Sequence, residues 1–210
     1  MDKQLLKRRI ANYVPNFLIE IYKTLKIINW YSRRNCSMPA PYFIKQSILI
    51  KNSVSSAVWI ETGTLYGDTT RFLSENFVEV HTIEPSNYYY EKSKSLLKNS
   101  KNIVFHKGSS SECLSSICKN LQCDISFWLD GHYSGGKTYS DVLETPIIQE
   151  LEIIDSYIHN FKKISIFIDD VRECFNKAKD YPSLDNYVNW AKKNNFKWTI
   201  DQDIFIMKNF

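Results

Sequence analysis

The sequence predicts an α/β fold: a doubly wound, mostly parallel sheet of seven strands, closed by a C-terminal antiparallel hairpin and preceded by a helical N-terminal arm. Three observations predict it. From residue 57 onward, short apolar runs alternate with helical stretches, the pattern of parallel strands covered on both faces. The last two runs, 197–201 and 204–208, are separated only by Gln202-Asp203. That leaves no room for a crossover helix and requires a hairpin. Residues 1–50 instead carry apolar side chains at three- and four-residue steps, which is helical spacing.

In the arm, Val14, Phe17, Leu18, Ile21, Tyr22, Leu25 and Ile28 form the stripe, and a helix packed on the domain is expected. Lys7, Arg8, Arg9, Lys23, Lys26, Arg33 and Arg34 surround it, which leaves a lid or a peripheral membrane contact open. Met38-Pro39-Ala40-Pro41 breaks the arm, and a short helix follows near 42–51. The arm thus covers 1–52 and the sheet domain 53–210. Strands are predicted at 57–61, 79–84, 103–107, 125–129, 164–168, 197–201 and 204–208. Helices are predicted at 67–76, 86–99, 110–120, 141–160 and 183–194. In such open sheets, ligands sit at the carboxyl ends of the strands.

Composition bounds the function. With 210 residues, 43% of them apolar and 24% charged, the chain can bury one core. The net charge of +4 suits an anionic substrate and falls far short of a dedicated nucleic-acid binder. No apolar run approaches the roughly 20 residues that span a bilayer. The basic start is followed by no clean apolar segment, so no secretory leader is expected and the cytoplasm is the expected compartment. Cys36, Cys113, Cys118, Cys123 and Cys174 are odd in number and lack CxxC spacing, consistent with free thiols. The glycosylation triplet Asn35-Cys36-Ser37 has no meaning without a secretory route.

The strand ends carry the chemistry. Glu61 closes the first strand, and Gly63 and Gly67 bracket the turn into a helix. The Gly-x-x-x-Gly spacing is neither the dinucleotide fingerprint nor a P-loop. Glu84-Pro85-Ser86 ends the second strand; an acid about 20 positions past a glycine turn can accept hydrogen bonds from a ribose diol. A ribose site without a pyrophosphate cradle suggests a nucleoside. After the third strand, Gly108, Ser109 and Ser110 could flank an adenine. The fourth strand runs into Asp130-Gly131-His132-Tyr133-Ser134-Gly135-Gly136-Lys137-Thr138, a polar loop with three of the six glycines. His132 has the intrinsic pKa of a general base. The fifth strand ends Asp169-Asp170-Val171-Arg172. Adjacent carboxylates after a buried run need solvent, a partner or a cation. Asp130, Asp169 and Asp170 at neighbouring strand ends make a hard-cation site suited to Mg²⁺. Helix capping, or a salt bridge from Asp169-Asp170 to Arg172 or a lysine, is the alternative.

Over residues 57–210, this set of turns and acids resembles the class I S-adenosylmethionine-dependent methyltransferases, with their seven-stranded Rossmann-like sheet. The resemblance implies that Glu61 and Gly63 meet the methionine end of the cofactor, within a turn that includes Thr62, Thr64, Tyr66, Gly67, Asp68 and Thr69. The commoner turn has Gly-x-Gly, so the contacts of Thr62, Thr64 and Tyr66 stay open. Glu84, followed by Pro85, would hold the ribose; Ser109 and Ser110 would lie by the adenine. Asp130 would meet the cofactor ammonium or, with Asp169 and Asp170, a metal, as in metal-dependent O-methyltransferases of the catechol and macrolide-sugar types. The loop after Trp128-Leu129 looks like those of enzymes that methylate bacterial sugars and surface polysaccharides. The implied activity is O-methylation of a sugar, sugar phosphate or nucleotide-sugar, with His132 and Asp130 catalytic and Mg²⁺ as a second cofactor. A metal-dependent hydrolase or hydroxylase could use the same acidic loops. A nucleic-acid methyltransferase is a further alternative, disfavoured because no Asn/Asp-Pro-Pro-Tyr/Phe signature follows the fourth strand. A homodimer is left open.

Overall fold

The strands β1 (Val58–Thr62), β2 (Glu79–Glu84), β3 (Ile103–Lys107), β4 (Ile125–Leu129), β5 (Ile164–Ile168), β6 (Lys197–Asp201) and β7 (Ile204–Lys208) form one sheet. Their order is β3-β2-β1-β4-β5-β7-β6. The structure is a computed structural model and describes residues 14–130, 146–175 and 181–210. The first five strands are mutually parallel; β7 runs antiparallel to both β5 and β6. The predicted hairpin is therefore present, and its second strand lies inside the first. Six strands keep their predicted bounds. The first begins one residue later because the Ala57 N–H donates to Val54 O in a turn, and the ladder starts at Val58.

Helices α1 (Asn16–Ser32), α2 (Tyr42–Asn52), α3 (Asp68–Asn76), α4 (Asn87–Leu96), α5 (Ser110–Asn120), α6 (Ile147–Tyr157) and α7 (Leu184–Lys193) accompany the sheet. The helix predicted at 141–160 becomes α6 plus a single 3-10 turn at Ile158–Asn160, its first five residues lying outside the described ones. Period-two alternation sends neighbouring strand residues into two cores. Ile60, Phe127, Ile166 and Phe205 face Leu114 and Leu151 on one side of the sheet. Trp59, Trp128, Phe167 and Ile206 face Ile48, Leu49 and Leu73 on the other. Trp59 stacks on Phe167 at 5.4 Å between centroids. This two-sided burial explains why β4 and β5 are buried at every position.

The arm departs from expectation. The α1 stripe does not pack on the domain: Phe17, Ile21, Leu25 and Ile28 are more than half exposed. Ile48 and Leu49 of α2 cover one face of the sheet instead. Trp30 is its buried anchor, donating its indole N–H to Ser37 O at 2.8 Å.

Candidate active site

The strand order reverses between β1 and β4, which opens a crevice at their carboxyl ends. The glycine turn sits at its rim. Gly63 and Gly67 have φ of +88° and +77°, values that side chains beyond Cα strain to adopt. A Cβ at Gly67 would also fall 2.6 Å from Leu97 Cδ1. The turn is closed by the Gly67 N–H donating to Thr64 O at 2.8 Å, and Gly63 N–H donates to Ile83 O at 3.1 Å. Glu61 lies beneath it, 1% exposed. Its Oε2 accepts from the Thr70 and Thr82 hydroxyls, and Thr82 in turn meets Thr64. Burial pushes the Glu61 pKa up to about 8, with the charges of Asp130 and Glu84 adding to it. Thr62 is buried at the end of β1, while Asp68 and Thr69 open α3. Tyr66 stands edge-on to Tyr89 at 5.1 Å.

Glu84 closes β2 and is nearly buried. Its two oxygens accept from separate backbone donors, Leu65 N–H in the glycine turn and Ser86 N–H just past Pro85, both at 2.8 Å. One carboxylate thus fixes the turn relative to the next strand. Burial raises its pKa against the pull of those two N–H groups. Across the third strand end, Ser109 is the N-cap of α5 in a capping box with Glu112. Its hydroxyl is therefore engaged locally, with Ser110 buried behind it.

Asp130, Asp169 and Asp170 do converge: one carboxylate oxygen from each lies within 4.8 Å of the others. Two cations of the chain meet them. Lys45 Nζ, on α2, sits 2.6 and 2.7 Å from the Asp169 oxygens and 3.8 Å from Asp170 Oδ1. Arg172 Nη1 donates to Asp170 Oδ1 at 2.6 Å and also pairs with Asp203 in the β6–β7 turn. Asp170 has φ of +58°, which turns the chain towards Arg172. Burial and the Asp130 charge push the Asp169 pKa up, while Lys45 opposes them. A pocket of about 260 Å³ opens here, lined by Pro39, Ala40, Tyr42, Lys45, Thr69, Trp128, Asp130 and Asp169. The Tyr42 hydroxyl donates to Thr69 Oγ1 at 3.1 Å across it. The Trp128 indole N–H has no hydrogen-bond partner among the described residues. His132, with the rest of the loop from Gly131 to Thr138, lies outside the described residues.

Two residues of this region escaped the sequence reading, and both carry the same signal. Lys45 stands one turn from Ile48 and Leu49 and two from Asn52, on the face that α2 buries. Glu150 stands between Ile147, Leu151 and Ile154 on the buried face of α6. A charged side chain on an apolar stripe is the mark both leave. Glu150 is fully buried, and no cation pairs with it among the described residues. Burial raises its pKa to about 7, the hydroxyls of Ser110 and Thr62 pulling it down and the Asp130 charge pushing it up.

Because that value exceeds the unfolded one, the folded protein holds a proton that the unfolded chain releases, and stability falls as pH rises through the interval. A Glu150→Gln variant avoids that loss. Near pH 8 it is expected to melt about 5 °C above the wild type, and near pH 5 to match it, in thermal melts across the range. An equal shift at both pH values would disconnect Glu150 from the effect.

No family model and no curated protein matches the sequence. Solved structures share its fold. A Streptococcus mutans protein assigned as a methyltransferase, solved in complex with SAH, aligns with a TM-score of 0.52 at 16% identity, over 81% of this chain and 97% of that one. A protein assigned as an rRNA methylase, from Clostridium thermocellum, aligns with a TM-score of 0.54 at 10% identity, over 80% and 95%. At such identities the likeness establishes the architecture: a Rossmann-like methyltransferase sheet, mostly parallel, with the antiparallel C-terminal hairpin.

Proposed function

We propose that the chain is an S-adenosylmethionine-dependent methyltransferase acting on a hydroxyl of a small acceptor. One observation carries this reading: a pocket stands beside the glycine turn at the carboxyl ends of the strands. The glycine turn and Glu84 lie over β1 and β2, and the pocket lined by Thr69 and Asp130 continues from them over β4 and β5.

Glu84 has lone pairs beyond those used by Leu65 and Ser86, and these suit the ribose hydroxyls. The backbone from Gly63 to Gly67, with Thr62, Thr64, Tyr66, Asp68 and Thr69 around it, suits the methionine end. Pro85, Ser109 and Ser110 border the adenine side. The bound cofactor supplies the methyl group on a sulfonium. The residues here align the acceptor and control its proton. His132, two positions beyond Asp130, is the proposed base. Lys45 can donate to acceptor oxygens, and Asp130 and Asp169 can accept from its hydroxyls. That lining favours a sugar, sugar phosphate or nucleotide-sugar, as in the assembly of bacterial surface polysaccharides.

The donor set of Asp130, Asp169 and Asp170 has the chemistry for Mg²⁺, but its arrangement does not fit the ion. The Lys45 ammonium already holds both oxygens of Asp169, and Arg172 holds Asp170. No step is assigned to a metal.

Carboxyls with raised pKa values surround the crevice, and a cation bound there favours their ionised forms. Calorimetric titration of S-adenosylmethionine near pH 7, in buffers of different ionisation enthalpy, is expected to show binding with release of on the order of one proton. Methyl transfer to nucleotide-sugars is then read with a labelled methyl group. Absence of binding, or binding with proton uptake, would overturn the reading.

A further inference from the structure

Helix α1 turns its apolar side outward. Phe17, Leu18, Ile21, Tyr22, Leu25 and Ile28 are each at least 43% exposed, and helical spacing puts them on one side. Single exposed apolar residues are ordinary; a contiguous face of this kind marks a partner.

Charge indicates which partner. Lys23 and Lys26 lie away from the apolar side, and Arg33 and Arg34 follow the last turn. Glu20 is the one acidic residue of 14–34, and Lys23 holds it at 2.7 Å. In the sequence, residues 1–34 hold eight Lys and Arg against two acids, a net +6, whereas the whole chain is +4. Everything after residue 34 is therefore −2, and the net positive charge lies in residues 1–34. A second copy would bring the same charge to a shared interface. An anionic lipid surface supplies the opposite charge together with an apolar boundary for the exposed side chains.

We propose that α1 docks the protein on an anionic bilayer, lying in the plane of the surface. The apolar side enters the headgroup–acyl boundary, and Lys23, Lys26, Arg33 and Arg34 meet the lipid headgroups. The helix is about 25 Å long at the usual rise. Among the described residues, no helix is long and apolar enough to cross a membrane, so docking is along the surface. The inference is independent of methyl transfer. It also has a geometric consequence: Pro39 and Ala40, which line the pocket, follow seven and eight residues after Ser32.

Vesicle flotation with the full chain tests it. The wild type is expected to float with phosphatidylcholine vesicles that contain phosphatidylglycerol, and to bind pure phosphatidylcholine at least tenfold more weakly, by order of magnitude. Binding should drop steeply in about 0.5 M NaCl, where charge attraction is screened. Lys23→Glu/Lys26→Glu should weaken binding on the order of 30-fold, and Ile21→Asp/Leu25→Asp by more than about tenfold. Both pairs should melt close to the wild type, since Ile21, Leu25 and Lys26 are exposed and Lys23 is half-buried in a surface ion pair with Glu20. Equal flotation of both variants would overturn the proposal. So would no flotation on either vesicle, or sedimentation of the wild type as a dimer that Ile21→Asp/Leu25→Asp converts to monomer.

Discussion

A Glu84→Ala variant is expected to bind S-adenosylhomocysteine at least about 100-fold more weakly than the wild type. Two effects combine. A carboxylate accepting from two ribose hydroxyls contributes about 1.5–3 kcal/mol per bond, because each is charge-assisted. The same carboxylate also receives the Leu65 and Ser86 N–H groups, so alanine removes the tie between the glycine turn and β2. Glu84→Gln separates the two. It keeps one acceptor oxygen but turns an amide donor towards one of those N–H groups, and an intermediate loss is expected. Titration calorimetry reads the affinities, and thermal melts report whether the turn's loss spreads into the fold. Binding by the alanine variant within threefold of the wild type would remove Glu84 from the cofactor site.

Lys45→Met should have the second large effect, on both stability and ion response. Lys45 and Asp169 are mostly buried, and removing one partner of such a pair costs about 3–5 kcal/mol, since the other charge is left uncompensated. For a chain of this size, that lowers Tm by about 10 °C. The variant also removes the Lys45 ammonium from three converging carboxylates, with Arg172 still paired to Asp170. Millimolar Mg²⁺ should then restore much of the lost Tm in the variant, by mass action on the folded state, and leave the wild type unmoved. A wild type that Mg²⁺ stabilises as strongly as the variant would show that the ion displaces Lys45. In that event the assignment of the lysine as resident cation falls.

Local pattern made most of the fold legible. Six of seven strands begin and end where apolar period and breakers put them, and the two-residue gap at Gln202-Asp203 forced the hairpin. The glycine turn could be read because φ values such as those of Gly63 and Gly67 restrict the residue type. The expected convergence of Asp130, Asp169 and Asp170 followed from strand neighbours alone. What escaped were pairings across the chain. Lys45 meets Asp169 from 124 residues away, and no local spacing announces that distance. Lys45 and Glu150 each sit on the buried apolar face of a helix, where a charged side chain is the exception. The docking of α1 failed for a different reason. Amphipathicity shows that a face seeks cover, while the cover itself depends on which helix packs on the sheet, and α2 does.

The carboxyls that crowd the crevice have a consequence for turnover. Under the proposed activity, the reaction erases one positive charge from the occupant of the site. Glu61, Glu150 and Asp169 would hold their charged forms while that cation is present and regain protons once it has gone, as their raised pKa values dictate. The pocket's grip therefore slackens on the spent molecule and tightens on a fresh one. Discrimination between the two arises from the same acids that would make an empty site uncomfortable at high pH. Product inhibition should accordingly weaken as pH rises through the range in which those acids titrate and level off above it.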